Sequence, residues 1–281
     1  VLLPLGLSLV LGGMGFKLAL VPFHFWSPDV YEGAPAPVAT FAATVSKTAA
    51  IIALMRLFPP TLIRNDQYLF ALFTALSLAS MVLGTLLAVR QRNIKRLLAY
   101  SSIAHNGYLL IAFLAAGSLA YSAILFYLAY SVVTGLASFG VVTVLSGKEA
   151  DTDNLDDYAG LSWRKPWIAA VFTAAILSLL GIPLTAGFIA KFYLVAAGME
   201  SMHLLLVVTL AVTTAISAFY YIRIIMTMFL GPTDVQVSTL RHSDHRPSLT
   251  GVAVVTVHAA CIVWMGIAPQ KLIGWIEKML L

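Results

Sequence analysis

Apolar stretches of about 20 residues recur along the chain, and most of the charge collects in the short connections between them. Twenty residues of helix span the hydrocarbon core of a bilayer. The stretches run over 2–21, a short piece at 23–32, then 36–58, 68–89, 96–116, 120–145, 166–199, 202–230 and 250–268. A last segment, 270–281, places Leu272, Ile273, Ile276, Met279 and Leu280 at helical spacing with Lys271, Glu277 and Lys278 between them, which predicts a helix lying at the interface. Strand alternation is absent, so the pattern predicts an all-α polytopic membrane protein of about eight transmembrane helices and not a barrel.

Two runs depart from this pattern. The first breaks in GFKLALVPFH, residues 15–24, where Pro22 removes an amide donor and crowds the preceding turn. The run 166–199 is too long for one ordinary span and is interrupted by GIPLTAG at 181–187. A lysine sits beside each interruption, Lys17 and Lys191, and both are expected to be buried. A matched pair of Gly/Pro-interrupted segments points to an inverted-repeat transport fold, in which opened backbone lines a polar cavity.

Composition agrees. The 281 residues are 60% hydrophobic and 10% charged with a mean hydropathy of +0.92, whereas soluble chains carry roughly 25% charge. The net charge of +5 does not indicate nucleic acid, because the basic residues lie between spans without an array of stacking aromatics. They fit orientation signals instead. Arg90, Arg92, Lys95, Arg96, Lys148, Arg164, Lys165, Arg241 and Arg246 fall in one set of alternate connections, against Arg56, Arg64, Lys271 and Lys278 in the other. The positive-inside bias therefore puts QRNIKR on the cytoplasmic or equivalent face. Cys261 stands alone, so it forms no internal disulfide and cannot by itself hold an iron–sulfur cluster. No Rossmann glycine pattern, P-loop or HExxH motif occurs, and no redox or nucleotide chemistry is visible in the chain itself. The chain opens directly in a membrane run without Met, a charged n-region or a cleavage site, which predicts further residues upstream.

Ionisable groups inside the runs carry the candidate chemistry: Lys17, Lys47, His105, Lys191 and His258, with His24, Asp29 and Glu32 in the short piece after the first break. A mid-membrane lysine costs about 2.5–3.5 kcal/mol on insertion scales, so three would cost roughly 8–10 kcal/mol if additive, comparable to a whole domain's stability. Snorkelling is the alternative for Lys17 and Lys191. It fails for Lys47, whose stem cannot cover ~16 Å of helix rise. Desolvation favours a neutral amine and an approaching anion or water favours the ammonium, so such a lysine can take up and release a proton, and several in series make a relay. His105 lies in YSSIAHNGY, where Ser101, Ser102 and Asn106 supply hydrogen-bonding groups at near-helical spacing. A bridge between lysines and a satisfied structural histidine both fit that context. His258 lacks such company and reads as structural. His24 and Asp29 have no third clustered ligand for a metal, and EADTDNLDDYAG, residues 149–160, fails the EF-hand spacing at Leu155 and reads as a solvated loop. Trp26, Trp163, Trp167, Trp264 and Trp275 suit an interfacial belt. Arg223 is expected to snorkel or to meet lipid phosphate.

Four blocks closely resemble the antiporter-like membrane subunits of respiratory complex I: FKLALVPFHFWSPDVYEGAPAPVATFAATVSKTAA at 16–50, NIKRLLAYSSIAHNGYLL at 93–110, LDDYAGLSWRKP at 155–166 and LLGIPLTAGFIAKFYLV at 179–195. The resemblance covers essentially the whole chain. SK in the helix after the first break, and GFIAKF with lysine where sister subunits have glutamate, resemble the N type of these subunits. The resemblance implies a fourteen-helix fold of two inverted five-helix repeats, each with a broken helix. Residues 1–58 would end the first repeat, 68–230 would form the second, and 250–281 the last helix and the interfacial segment. It also implies that Lys17, Lys47, His105 and Lys191 are proton-relay residues, with His24, Ser102 and Asn106 supporting, and that an acidic partner of Lys17 comes from an earlier helix. The chain itself would hold no cofactor. NADH, FMN, iron–sulfur clusters and quinone would belong to partner subunits, and the neighbours would be other membrane-arm subunits in a bacterial plasma membrane or an organellar energy-transducing one. Two other functions fit the same residues: a subunit of a multi-subunit cation/proton antiporter, and a scaffold whose lysines are interhelical hydrogen-bonding glue.

Overall fold

The computed structural model describes residues 2–115, 118–147, 151–230 and 247–280. Lys148, Arg241 and Arg246, three of the cations used for orientation, lie outside the described residues, as do Glu149 and Ala150 of the acidic loop. The described residues form helices, with one isolated antiparallel bridge between Asn93 and Asn154.

In chain order the helices are α1 (Leu2–Leu18), α2 (Trp26–Gly33), α3 (Ala36–Leu57), α4 (Pro60–Asn65), α5 (Gln67–Val89), α6 (Ile94–Leu114), α7 (Ser118–Leu145), α8 (Pro166–Leu180), α9 (Ala186–Glu200), α10 (Leu204–Phe229), α11 (Leu249–Ile267) and α12 (Pro269–Leu280). Six of them, α3, α5, α6, α7, α10 and α11, are long and apolar enough to cross a membrane. With α1/α2 and α8/α9 as two broken crossings, the described residues hold the eight expected.

Local chemistry fixes the ends. Asp66 accepts from the amides of Tyr68 and Leu69 at the start of α5, at 2.9 and 3.0 Å. Asn93 does the same for Arg96 at the start of α6, at 3.0 Å. Each side chain replaces a partner that the first turn of a helix lacks. Pro60 and Pro166 open α4 and α8, where a missing amide costs nothing.

Helix α6 is the centre of the bundle: 83% of its most apolar window is buried, against 17% for α11. It packs most closely against α5, where a Cβ on Gly84 would lie 2.7 Å from the Ala104 amide nitrogen, and one on Gly107 would lie 2.8 Å from that of Met81. Small residues at such a crossing let two backbones approach, the usual device of membrane helices. Helices α7, α9 and α10 complete the wall around α6, while α5, α10 and α11 also turn apolar side chains such as Leu86, Phe219 and Val257 outward.

Three sequence expectations are corrected. Trp26 is not simply a belt residue: its indole donates to the Phe16 carbonyl at 2.7 Å and stacks on the Phe16 ring at 5.3 Å, which pins the break between α1 and α2. Arg223 donates to the Gln91 carbonyl, an acceptor left free past the end of α5. The acidic loop is not merely solvated. Asp151 and Asp153 stand 2.6 and 3.4 Å from the buried ammonium of Lys95, which also donates to the Ala34 carbonyl. The neighbouring Arg96 pairs with Asp29 and Glu32 on α2, at 2.6 and 2.7 Å. The NIKR cations thus tie α2, the α2–α3 turn and the loop to the start of α6.

Candidate functional site: a row of buried cations along α6

Where α8 breaks, the backbone explains the position of a lysine. The helix ends at Gly181, whose φ of +85° is the left-handed conformation that glycine adopts without a side-chain clash. Gly181 donates to the Leu177 and Ser178 carbonyls at 2.9 and 3.0 Å, and Ile182 donates to Leu177 at 3.1 Å. The carbonyls of Leu179 and Leu180, past the last helical amide, would otherwise be orphaned. Lys191 on α9 folds back and donates to both, at 3.1 and 2.9 Å, with the Thr214 hydroxyl at 3.4 Å. The negative end of the α8 dipole adds to those bonds. The return is tight: a Cβ on Gly187 would overlap the Ser178 carbonyl oxygen. Lys191 is only 7% exposed, and its ammonium lies 5.3 Å from the centre of the Tyr108 ring.

Lys47 is reached differently. Helix α3 changes to a π-helical turn over Ala42–Ser46 immediately before it, a distortion frequent at functional sites. Thr40 and Thr44 add side-chain bonds to the carbonyls of Ala36 and Thr40, both at 2.7 Å. Lys47 is 4% exposed, donates to the Ser102 hydroxyl at 2.7 Å, and lies 5.3 Å from the centre of the Tyr31 ring.

Both lysines therefore meet α6. Lys47 reaches Ser102, Lys191 covers Tyr108, and His105 lies midway, three residues from each, so the two anchors are separated by about 9 Å of helix rise. His105 is 8% exposed, with Nδ1 2.7 Å from the Tyr127 hydroxyl, Nε2 3.4 Å from the Tyr221 hydroxyl and its ring 5.3 Å from that of Tyr108. Tyr221 in turn makes a short hydrogen bond with Ser101. A cavity of about 60 Å³ is lined by Lys47, Ser101, Ser102, His105, Asn106 and Tyr127 among others. That volume holds a few water molecules, and its polar lining offers them partners.

The first break is built without its lysine. Leu18 and Phe16, at the end of α1, give their carbonyls to Asn106 Nδ2 at 2.6 Å and to the Trp26 indole, while the Val21 amide donates to Ser80 at 3.0 Å. Lys17 is exposed on α1, contrary to the burial expected of it. His24 is buried beside the opening, 4% exposed, with its ring tilted against that of Phe25 at 4.3 Å. His258 bonds its own α11 carbonyl at Val254, at 2.7 Å, in keeping with a structural histidine.

The structure thus brings Lys47, Ser102, His105 and Asn106 to one cavity, puts Lys191 two turns along α6, and leaves Lys17 and His24 at the other break. Sequence reasoning missed Tyr31, Tyr108, Tyr127, Tyr221 and Thr214. Their only signal is a hydroxyl within an apolar run, which ordinary core tyrosines share.

Residues 2–217 match the family described as NADH:quinone oxidoreductase/Mrp antiporter, TM. The chain is 45% identical over 282 residues to NADH-quinone oxidoreductase subunit N of Ectopseudomonas mendocina, covering 99% of this chain and 56% of that protein. It is 46% identical over 285 residues to the protein of the same name in Nitrosospira multiformis, with 97% and 56% covered. Among solved structures, respiratory complex I from Thermus thermophilus matches with a TM-score of 0.78 at 34% identity, over 93% of this chain and 56% of that one. The Mrp complex from Dietzia sp. matches with a TM-score of 0.84 at 22% identity, over 96% and 57%, which shows a shared fold alone. The chain spans little more than half the length of the relatives it matches.

Proposed function

Since the chain belongs to the NADH:quinone oxidoreductase/Mrp antiporter transmembrane family, we propose that it is the proton-translocating part of a membrane-arm subunit of NADH:quinone oxidoreductase, in which Lys47, His105 and Lys191 pass protons. One observation carries this reading: two buried ammonium groups and an imidazole are aligned along α6 at Ser102, His105 and Tyr108, beside a polar cavity. The chemistry asked of the chain is proton movement alone. NADH oxidation, flavin, iron–sulfur clusters and quinone reduction are assigned to partner subunits, and a charge change there biases the proton affinity of the lysines. Ser102 supports the path by receiving the Lys47 ammonium. Asn106 and His24 support it at the first break. Lys17, exposed here, joins the relay only with a partner group over its face. The setting is the bacterial plasma membrane.

A scaffold of neutral hydrogen-bonding glue does not require cations, and Leu179 and Leu180 would accept equally from a neutral amide. The high identity to subunit N favours the oxidoreductase over a sodium/proton antiporter, with which the chain shares its fold. The test is proton translocation by the full-length subunit in its assembly. Lys47→Ala and Lys191→Ala are expected to lower protons moved per electron with the assembly intact. A normal ratio in either variant refutes the relay, and sodium-dependent flux without a co-purifying flavin and iron–sulfur arm refutes the oxidoreductase assignment.

A further inference from the structure

We propose that Tyr127 is the positioning residue that sets the tautomer of His105, holding Nδ1 as a bare acceptor and the ring proton on Nε2, and that His105 receives protons through the Tyr127 hydroxyl. This rests on the relay reading above.

The two ring nitrogens are bonded unequally. Nδ1 lies 2.7 Å from Tyr127, a length typical of a hydroxyl donor, whereas Nε2 lies 3.4 Å from Tyr221. An imidazole lone pair is a stronger acceptor than a phenol oxygen, so the short bond is the one in which the phenol donates and Nδ1 accepts. Nε2–H then points to Tyr221, whose own hydroxyl meets Ser101. Tyr127→His105→Tyr221→Ser101 is a chain in which each member before the last donates once, and its first member also lines the cavity shared with Lys47 and Ser102. The packing holds this polarity. Tyr127 is 2% exposed on α7, its ring meets that of Tyr130 edge-on at 5.1 Å, and Tyr221 is fully buried on α10.

The step balances simply. A proton leaves the Lys47 ammonium for water in the cavity and reaches the Tyr127 oxygen as Tyr127's own proton passes to Nδ1. Lys47 becomes a neutral amine, His105 becomes imidazolium, and Tyr127 ends as it began. Without Tyr127 the ring has no fixed tautomer, and half of its orientations present N–H, not a lone pair, to the cavity.

The experiment labels histidine with ¹⁵N in the full-length subunit within its purified assembly and identifies the His105 signals by their loss in His105→Gln. Bare Nδ1 with protonated Nε2 is expected. Tyr127→Phe, which keeps the ring and removes the hydroxyl, is expected to abolish that preference and to lower proton translocation about a hundredfold or more, the scale of a lost proton-transfer partner. Tyr221→Phe is expected to leave the tautomer in place. Protonated Nδ1 in the unsubstituted protein, a measurement that needs no variant to fold, overturns the proposal. So does Tyr127→Phe with unchanged signals and unchanged translocation. Should the tautomer be wrong while Lys47→Ala still stops translocation, only the role of Tyr127 falls. Full translocation in Lys47→Ala brings down the relay, whatever the tautomer.

Discussion

The two broken crossings answer one problem, carbonyls released by an interrupted helix, in two ways. At the second, the acceptors of Leu179 and Leu180 are taken by a cation, Lys191, folded back from the very next helix. At the first, the acceptors are taken by neutral donors, the Phe16 carbonyl by the Ala19 amide and the indole of Trp26 at the start of α2 and the Leu18 carbonyl by the amide of Asn106 on α6, and the adjacent lysine faces outward. A helix break next to a lysine therefore does not by itself create a cation site. What decides is whether the lysine follows the break, on the returning helix, as Lys191 does, or precedes it in the last turn, as Lys17 does. Side chains on a helix lean toward its N-terminus, so a lysine early in α9 leans back over the break, whereas one at the end of α1 leans away from it.

The sharpest way to break this contrast is steric. Gly187→Val puts a branched side chain into the space held by the Ser178 carbonyl, and α9 cannot then return beside α8. The expected result is loss of the folded subunit from the assembly, scored by quantifying the subunit in purified membranes. Gly13→Ala on α1, where a Cβ meets open space, is expected to leave the level unchanged. Next in size is the cation itself. Lys191→Met keeps the bulk of the stem but strands two buried carbonyls, at about 1–3 kcal/mol for each unsatisfied acceptor. Lys17→Met is expected to stay within about 0.5 kcal/mol, as exposed substitutions do. Thermal inactivation of the purified assembly separates the two. Between these two falls the first break, where Asn106→Ala strands the single Leu18 carbonyl and is expected to cost about 1–3 kcal/mol, read in the same assay.

The helices were legible in the sequence because a bilayer imposes one length and one composition on every span, and Gly181 and Pro22 announce their breaks through backbone rules that need no tertiary context. Lys47 was legible for the same reason, being too far from either end of its run to reach water. Pairings across helices were not. Nothing in the order of residues places Tyr127 against His105 or Asp151 against Lys95, because those distances follow from how α6, α7 and the loop pack, and a tyrosine in an apolar run looks the same with or without a polar partner. The π-helical turn before Lys47 was equally silent, since Thr40 and Thr44 are unremarkable in a membrane helix and only the packed α3 shows the extra residue in the turn. Lys17 misled for a related reason: position in a run predicts depth in the membrane, but not which way a side chain faces.

The central claim is that Lys47 and Lys191 are joined through His105 as members of one series along α6. It is tested most directly by the ratio of protons translocated to electrons transferred in the full-length assembly carrying His105→Gln, Lys191→Ala, or both. Members of a series fail together, so the account predicts that each single variant lowers the ratio with the assembly intact and that the double variant lowers it no further. A normal ratio in His105→Gln, or losses that add in the double variant, contradicts it.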